Sequence, residues 1–395
     1  MTSQPGAAGA PAGSPNAIAG DERIPSLNGL RALSVGLVIV GHLRLAAPEA
    51  LQTSMAWDIL GNGDLGVSIF FVISGFLITT LLLSEQEKTG RIHLLAFYAR
   101  RFYRIVPPFY VFIAAVVLLW QLNWLALSWR AVLTAATFTA DYSPVRRWWL
   151  AHTWSLAVEE QFYLLWPVAL ALLGRRRALT ASLVMIGLAP ALRGVSYYLW
   201  PSQRAQLIYM FHARVDGLMF GCALALAEPA LARLTHLLSS SIAAALTVYL
   251  FVVSPLLRLQ FQGRYLLPVG YSLEGASIAF LLIYVVKKPD SSAGRILNTG
   301  AMGHVGLISY SLYLWQQLFL SNASPFLAGA FPAGLLLTFA TAELSYRTVE
   351  RAAAAARSRW RVRAAPVELG IRDWGSGIRH PQSAIPDAKS PTANP

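Results

Sequence analysis

The sequence predicts an all-α polytopic membrane protein of about ten transmembrane helices with both termini cytoplasmic. Three observations carry that expectation. Of 395 residues, 55% are hydrophobic and 13% charged, whereas a soluble domain carries about 25% charged residues. Apolar stretches near the roughly 20 residues that span hydrocarbon recur along the chain. They are continuous runs, not the alternating strands of about ten residues that build a membrane β-barrel. A net charge of +13 would suggest nucleic acid in a soluble chain. No nucleic-acid motif accompanies it, so no nucleic-acid partner is expected; cytoplasmic loops rich in Lys and Arg account for the charge. The single cysteine, Cys222, excludes an intrachain disulfide and a Cys-ligated metal site. It reads as a small packing residue.

Residues 1–23 are rich in Pro, Gly, Ala and Ser. They lack the basic and apolar regions of a signal peptide and read as a disordered tail. Spans are expected at 27–47, 64–84, 105–122, 154–173, 178–199, 205–227, 241–257, 268–286, 303–321 and 325–345. Another stretch, 124–142, holds Arg130 and is only moderately apolar. Counting it as a span would reverse every later segment. If it does not cross, Arg91, Arg100, Arg101, Arg104, the Arg triplet 175–177, Lys287 and Lys288 share the cytoplasmic side, as the positive-inside rule requires. Arg193, Arg204, Arg258 and Arg264 then fall on the outer side. Residues 122–153 become an outer, partly re-entrant or interfacial loop, with Trp148 and Trp149 suited to an interface. The membrane domain runs over 24–350. Residues 351–395 read as a cytoplasmic tail, basic and then Pro/Ser-rich. No repeat of fixed period is visible.

Polar residues interrupt the apolar runs in a few clusters. In LNGLRALSVGLVIVGHL (27–43), Arg31 and His42 are eleven residues apart. That is about 20° from three full helical turns, with a rise of about 16 Å. The two share one face, half a bilayer apart. On spacing alone a snorkelling arginine with a core histidine and a polar cavity lined by both stand level. AHTWSLAVEEQFYLLWP (151–167) puts His152, Ser155, Glu159, Glu160 and Gln161 at the outer mouth of a span; Ser155 and Glu159 share a face. It reads either as a proton-handling cluster or as an acidic helix start. FYARRFYRIVPP (97–108) brings Arg100, Arg101 and Arg104 to the inner boundary. They serve as membrane anchors or as a phosphate clamp, to which the guanidinium fork is suited. Arg214 and Asp216, two apart in YMFHARVDGLMFG (209–221), do not face one another, and each should find a partner on another helix. SYSLYLWQQ (309–317) ends in a Gln pair that reads mainly as a polar interfacial end. His42, His152, His212 and His304 form no metal-ligand spacing, so no metal is expected.

Taken in order, these segments resemble the membrane acyltransferase-3 family. LNGLRALSVGLVIVGH is similar to that family's opening Arg-x10-His helix, and GVSIFFVISGFLITTLLL (66–83) to its FFxxSGFLI segment. FYARRFYRIVPPFY resembles its basic RxxR segment, HTWSLAVEEQFYLLWP its WSLxVExxFY block, and ISYSLYLWQ and YRTVER its closing motifs. The resemblance runs from about 24 to 351. It implies a ten-helix O-acyltransferase of the cytoplasmic (inner) membrane. Such an enzyme moves an acyl group, usually acetyl, from acyl-CoA as co-substrate to a hydroxyl of a surface glycan, a lipid-linked sugar or a macrolide-type small molecule. No tightly bound cofactor is implied. By these matches His42, Arg31 and Glu159 are catalytic candidates, His42 as general base or as a transient acyl relay, and Arg101 and Arg104 are donor-binding candidates, with neighbouring Arg100 beside them. Ser155, His152, Arg214 and Asp216 are acceptor-site or supporting candidates. The family commonly ends its late motif YLWH; Gln316 stands there in this chain. Many relatives append an SGNH esterase-like domain, and the short tail here leads us to expect unaided transfer or a separate extracytoplasmic partner. A transporter and an envelope-assembly scaffold are the alternatives of another class.

Overall fold

The computed structural model describes residues 24, 26–44, 57, 61–145, 147–228, 237–321 and 332–361, and the regular structure among them is entirely helical. The expected N-terminal tail, the chain beyond 361, and parts of the expected spans 27–47 and 325–345 lie outside the described residues. Among the described residues, six helical segments are long and apolar enough to cross a membrane: Gly63–Thr89, Leu94–Gln121, Trp148–Leu199, Pro201–Leu226, Ser240–Phe261 and Gly263–Lys287. Leu27–Leu43 is apolar but has 17 described residues. Trp148–Leu199, at 52 residues, far exceeds one crossing. It is broken at Gly174, whose φ of 68° and ψ of 171° suit only glycine. That break falls between the expected spans 154–173 and 178–199. In the doubtful stretch 124–142, the α-helix is Trp129–Ala136, eight residues long. About 12 Å of helix does not cross a bilayer of about 30 Å.

The bundle has a basic end and an opposite end. Arg175 donates to the Leu226 carbonyl at 3.0 Å and pairs with Glu87. Lys287 pairs with Glu228, and buried Glu85 with Arg100. All of these lie at the basic end. At the opposite end, Arg258 from Ser254–Phe261 pairs with Asp64 at the start of Gly63–Thr89.

Close helix crossings depend on glycine. A Cβ at Gly75 would strike the Leu218 carbonyl, and one at Gly221 the Val72 carbonyl, so Gly63–Thr89 and Phe211–Leu226 meet backbone to backbone. Small residues drive such packing in membranes because lipid supplies no hydrophobic force between helices. Buried Cys222 fills the same crossing, its Sγ 3.6 Å from the Gly75 carbonyl, which is the packing role its sequence context suggests. Gly75→Leu should therefore cost about 1–3 kcal/mol, the usual penalty of overpacking. Gly36→Leu, where nothing lies within 4 Å of the added Cβ, should cost little. Thermal unfolding in detergent micelles measures both.

Charge pattern alone assigns Arg193 to the outer side. In the structure it is fully buried and holds Asp216 with two bonds, Nη1 to Oδ1 at 2.9 Å and Nη2 to Oδ2 at 2.8 Å. Its remaining donors reach the Leu267 and Ala213 carbonyls and Ser272. The partner that Asp216 needs on another helix is thus Arg193.

Candidate active site

The first helix carries the two residues on which the sequence reading turns. It runs unbroken over Leu27–Leu43, so Arg31 lies near one end of it and His42 near the other. His42 opens into a cavity of about 540 Å³, which His152, Trp148, Tyr313, Gln317 and Asp64 also line. Four elements converge there: the first helix, the start of Gly63–Thr89, the turn before Thr153, and Ser309–Phe319.

Ser309–Phe319 supplies most of the polar contacts. Tyr313, Gln316 and Gln317 lie three and four residues apart and so share a face. Gln316 Oε1 is 2.7 Å from His42 Nδ1. Gln317 Nε2 is 3.4 Å from His42 Nε2. The oxygen of the same amide accepts the backbone N–H of His152 at 3.2 Å and contacts His152 Nδ1 at 2.5 Å. Both glutamines are buried; they are not the interfacial helix end that polarity suggests. Trp148 likewise turns inward and not to an interface. Its Nε1 donates to the Gln317 carbonyl at 2.8 Å, and its ring meets His42 edge to face at 5.2 Å. Trp149 is buried.

A polar seam leads from the cavity toward the basic end. Tyr313 hydroxyl contacts Ser155 Oγ at 2.5 Å and donates to the His152 carbonyl at 3.0 Å. One turn beyond Ser155, Glu159 accepts from Ser74 at 2.6 Å. Ser74 in turn accepts from Tyr163 at 3.1 Å. Arg31, Arg101 and Arg104 are the cations that act on Glu159. The Arg101 guanidinium lies 5.5 Å from the Tyr163 ring and 5.7 Å from Phe97. Arg31 also reaches Asn28 at 3.4 Å.

The structure therefore brings His42 and His152 together at the cavity wall, with Ser155 behind them against Tyr313. It gathers Glu159, Arg31, Arg101 and Arg104 deeper in the seam. Arg100 stands apart, committed to buried Glu85 at 3.0 Å. Asp216 is taken by Arg193. Arg214, buried, donates to Ser68 at 3.1 Å and lies 3.7 Å from the Tyr271 ring centroid. Sequence reasoning missed Tyr313, Gln317, Ser74 and Asp64. A signal existed for some of them: Ser74 interrupts the apolar run FFVISGFLI, and Tyr313 sits on the face that ends in the Gln pair. Asp64, held by Arg258 at 3.0 Å and the Tyr271 hydroxyl at 3.2 Å, carried no such mark. Among the described residues no group of three His, Cys, Asp or Glu could hold a metal ion.

This arrangement offers an imidazole facing a cavity, with a polar path behind it to a cluster of arginines. Comparison with known proteins points the same way. A family model described as an acyltransferase domain matches residues 24–346. The chain is 30% identical over 362 residues to the peptidoglycan O-acetyltransferase OatA of Listeria monocytogenes, covering 83% of this chain and 55% of that protein. It is 30% identical over 364 residues to the O-acetyltransferase OatA of Staphylococcus aureus, covering 83% and 56% respectively. The chain thus spans about half the length of these curated relatives. No solved structure matches it.

Proposed function

The chain belongs to the acyltransferase-3 family of membrane O-acyltransferases, and from that we propose that it moves an acetyl group from cytoplasmic acetyl-CoA to a hydroxyl of a cell-surface glycan. On this reading the protein lies in the cytoplasmic membrane with ten spans, and its basic end and both termini face the cytoplasm. The observation that carries the reading is His42 at the wall of the cavity, joined by a polar seam to Arg31, Arg101 and Arg104.

The chemistry follows from those positions. Arg101 and Arg104 hold the donor's phosphates, since guanidinium forks pair with phosphate oxygens. The thioester extends along the seam toward the cavity. His42 takes the proton of the acceptor hydroxyl as its oxygen attacks the thioester carbonyl. The tetrahedral intermediate collapses with breakage of the C–S bond, and the proton passes to the departing thiolate. The products are an O-acetyl ester and CoA thiol. The Tyr313 hydroxyl, which donates to the His152 carbonyl in this structure, turns to the developing oxyanion and stabilises it, and Ser155 keeps that carbonyl satisfied. Glu159, bonded to Ser74, balances the arginine cluster. The acceptor is a glycan of the kind that the Listeria relative's name gives, peptidoglycan, and it enters the cavity from the end opposite the arginines.

The test is whether purified protein releases CoA from acetyl-CoA only when a hydroxyl acceptor is present. Uptake of solute without CoA release would instead make it a transporter. Arg101→Gln should raise the KM for acetyl-CoA about tenfold, the loss of one charge-assisted contact, with kcat little changed. Arg100→Gln should leave that KM alone, because Arg100 serves Glu85. Steady-state kinetics in proteoliposomes distinguishes the two.

A further inference from the structure

The two glutamines do more than pack against His42; between them they fix which of its nitrogens is the base. The backbone N–H of His152 can only donate, and it points at one atom of the Gln317 amide at 3.2 Å. That atom must be the oxygen. The other end of the amide is then the NH2 group, and it faces His42 Nε2 at 3.4 Å. An NH2 group only donates, so His42 Nε2 must present its lone pair. A neutral imidazole with a bare Nε2 carries its proton on Nδ1. That proton needs an acceptor, and Gln316 Oε1 stands 2.7 Å away. Reversing the Gln316 amide would set its NH2 against the Nδ1 proton and leave the ring without an acceptor. Only one assignment satisfies every bond.

We propose that Gln316 and Gln317 are positioning residues that hold His42 as the Nδ1–H tautomer, with Nε2 as the atom that accepts the substrate's proton. Gln317 reads the correct tautomer through a main-chain donor in the Trp148–Leu199 segment, so the base is set by the fold and not by a neighbouring charge. Its bond to Nε2 is long, and an incoming hydroxyl displaces it readily. Gln316 completes the pair. Its side-chain oxygen accepts from Nδ1, whereas its Nε2, buried in the bundle, has no hydrogen-bond partner among the described residues. As Nε2 of His42 takes up a proton, the Nδ1–H bond to Gln316 strengthens while the amide itself stays neutral. The site in this way orients its base with two carboxamides, where a carboxylate commonly does so. The inference rests on the proposed role of His42 as base.

Two variants and one spectrum test it. Gln317→Glu is isosteric and keeps an oxygen for both His152 contacts. It replaces the NH2 donor by a second acceptor, so His42 Nε2 must carry the proton. Gln317→Met keeps the volume, removes both contacts and leaves either tautomer accessible. We expect Gln317→Glu to lose about 10²–10⁴ in kcat, the range for loss of a general base, and Gln317→Met about tenfold, the value of roughly one hydrogen bond. A purely structural glutamine would give the reverse order, because Glu retains the His152 clamp and Met does not. Nitrogen NMR of selectively labelled His42 in the unmodified protein should show the Nδ1–H tautomer, and in Gln317→Glu a protonated Nε2. An Nε2–H tautomer in the unmodified protein, or a Gln317→Met variant slower than Gln317→Glu, overturns the proposal. The spectrum does not depend on turnover. A protein with the Nδ1–H tautomer but full activity after removal of His42 would retain the tautomer assignment and lose both Nε2 as the proton acceptor and the proposed reaction.

Discussion

His42→Ala should lower acceptor-dependent CoA release by about three orders of magnitude, within the range of 10²–10⁴ for loss of a general base. Expression and thermal stability should be nearly unchanged. His42 lines an open cavity, and among the described residues its side chain bonds to Gln316 and Gln317. Its removal leaves two glutamine amides beside a cavity that admits water, so the folding penalty is small. The effect should fall on kcat, with the KM for acetyl-CoA preserved, because the arginines that hold the donor lie at the other end of the seam. Steady-state kinetics on purified protein, with circular dichroism as the control for folding, measures both quantities. Turnover equal to that of the unmodified protein would remove His42 from the mechanism.

Asp216→Ala should do the opposite and destabilise the fold without touching the chemistry. It leaves the Arg193 guanidinium buried with its charge uncompensated. Breaking one partner of a buried pair costs about 3–5 kcal/mol. Asp216 also accepts from Ser272 at 2.6 Å, so a second bond is lost with it. The pair ties Arg193, in the Trp148–Leu199 segment, to Phe211–Leu226 and to Tyr271–Lys287. We therefore expect a large fall in the midpoint of thermal unfolding in micelles and poor recovery from membranes. The double variant Arg193→Met with Asp216→Leu removes both charges together. It should recover most of the stability, because well-packed apolar side chains commonly replace a buried ion pair at little cost. Equal stability of Asp216→Ala and the unmodified protein would contradict this account.

How much of this was legible in the sequence differs between scaffold and site. Helices announced themselves through composition and through continuous apolar runs, because lipid tolerates no other open backbone arrangement. The placing of 124–142 outside the membrane came from charge, and the eight-residue helix Trp129–Ala136 agrees with it. The shared face of Arg31 and His42 followed from helical period alone. Contacts between distant segments did not follow. Nothing in YLWQQ says that its glutamines reach a helix some 270 residues earlier, and polarity at a span's end more often means water. Arg193 was assigned by charge to the outer side because its partner, Asp216, is on another helix, and pairing is invisible to periodicity. Trp148 and Trp149 looked interfacial for the same reason. Aromatic residues favour membrane interfaces on average, while Trp148 is drawn inward by one carbonyl and one imidazole.

The central claim is that donor and acceptor enter from opposite ends of the bundle and meet at His42. Membrane vesicles containing the protein and a trapped saccharide acceptor test it most directly, with labelled acetyl-CoA added outside and the basic end outward. The account predicts O-acetylated saccharide in the lumen and free CoA outside, with no ester when His42 is replaced by Ala. Ester formed only when donor and acceptor share one compartment would contradict it.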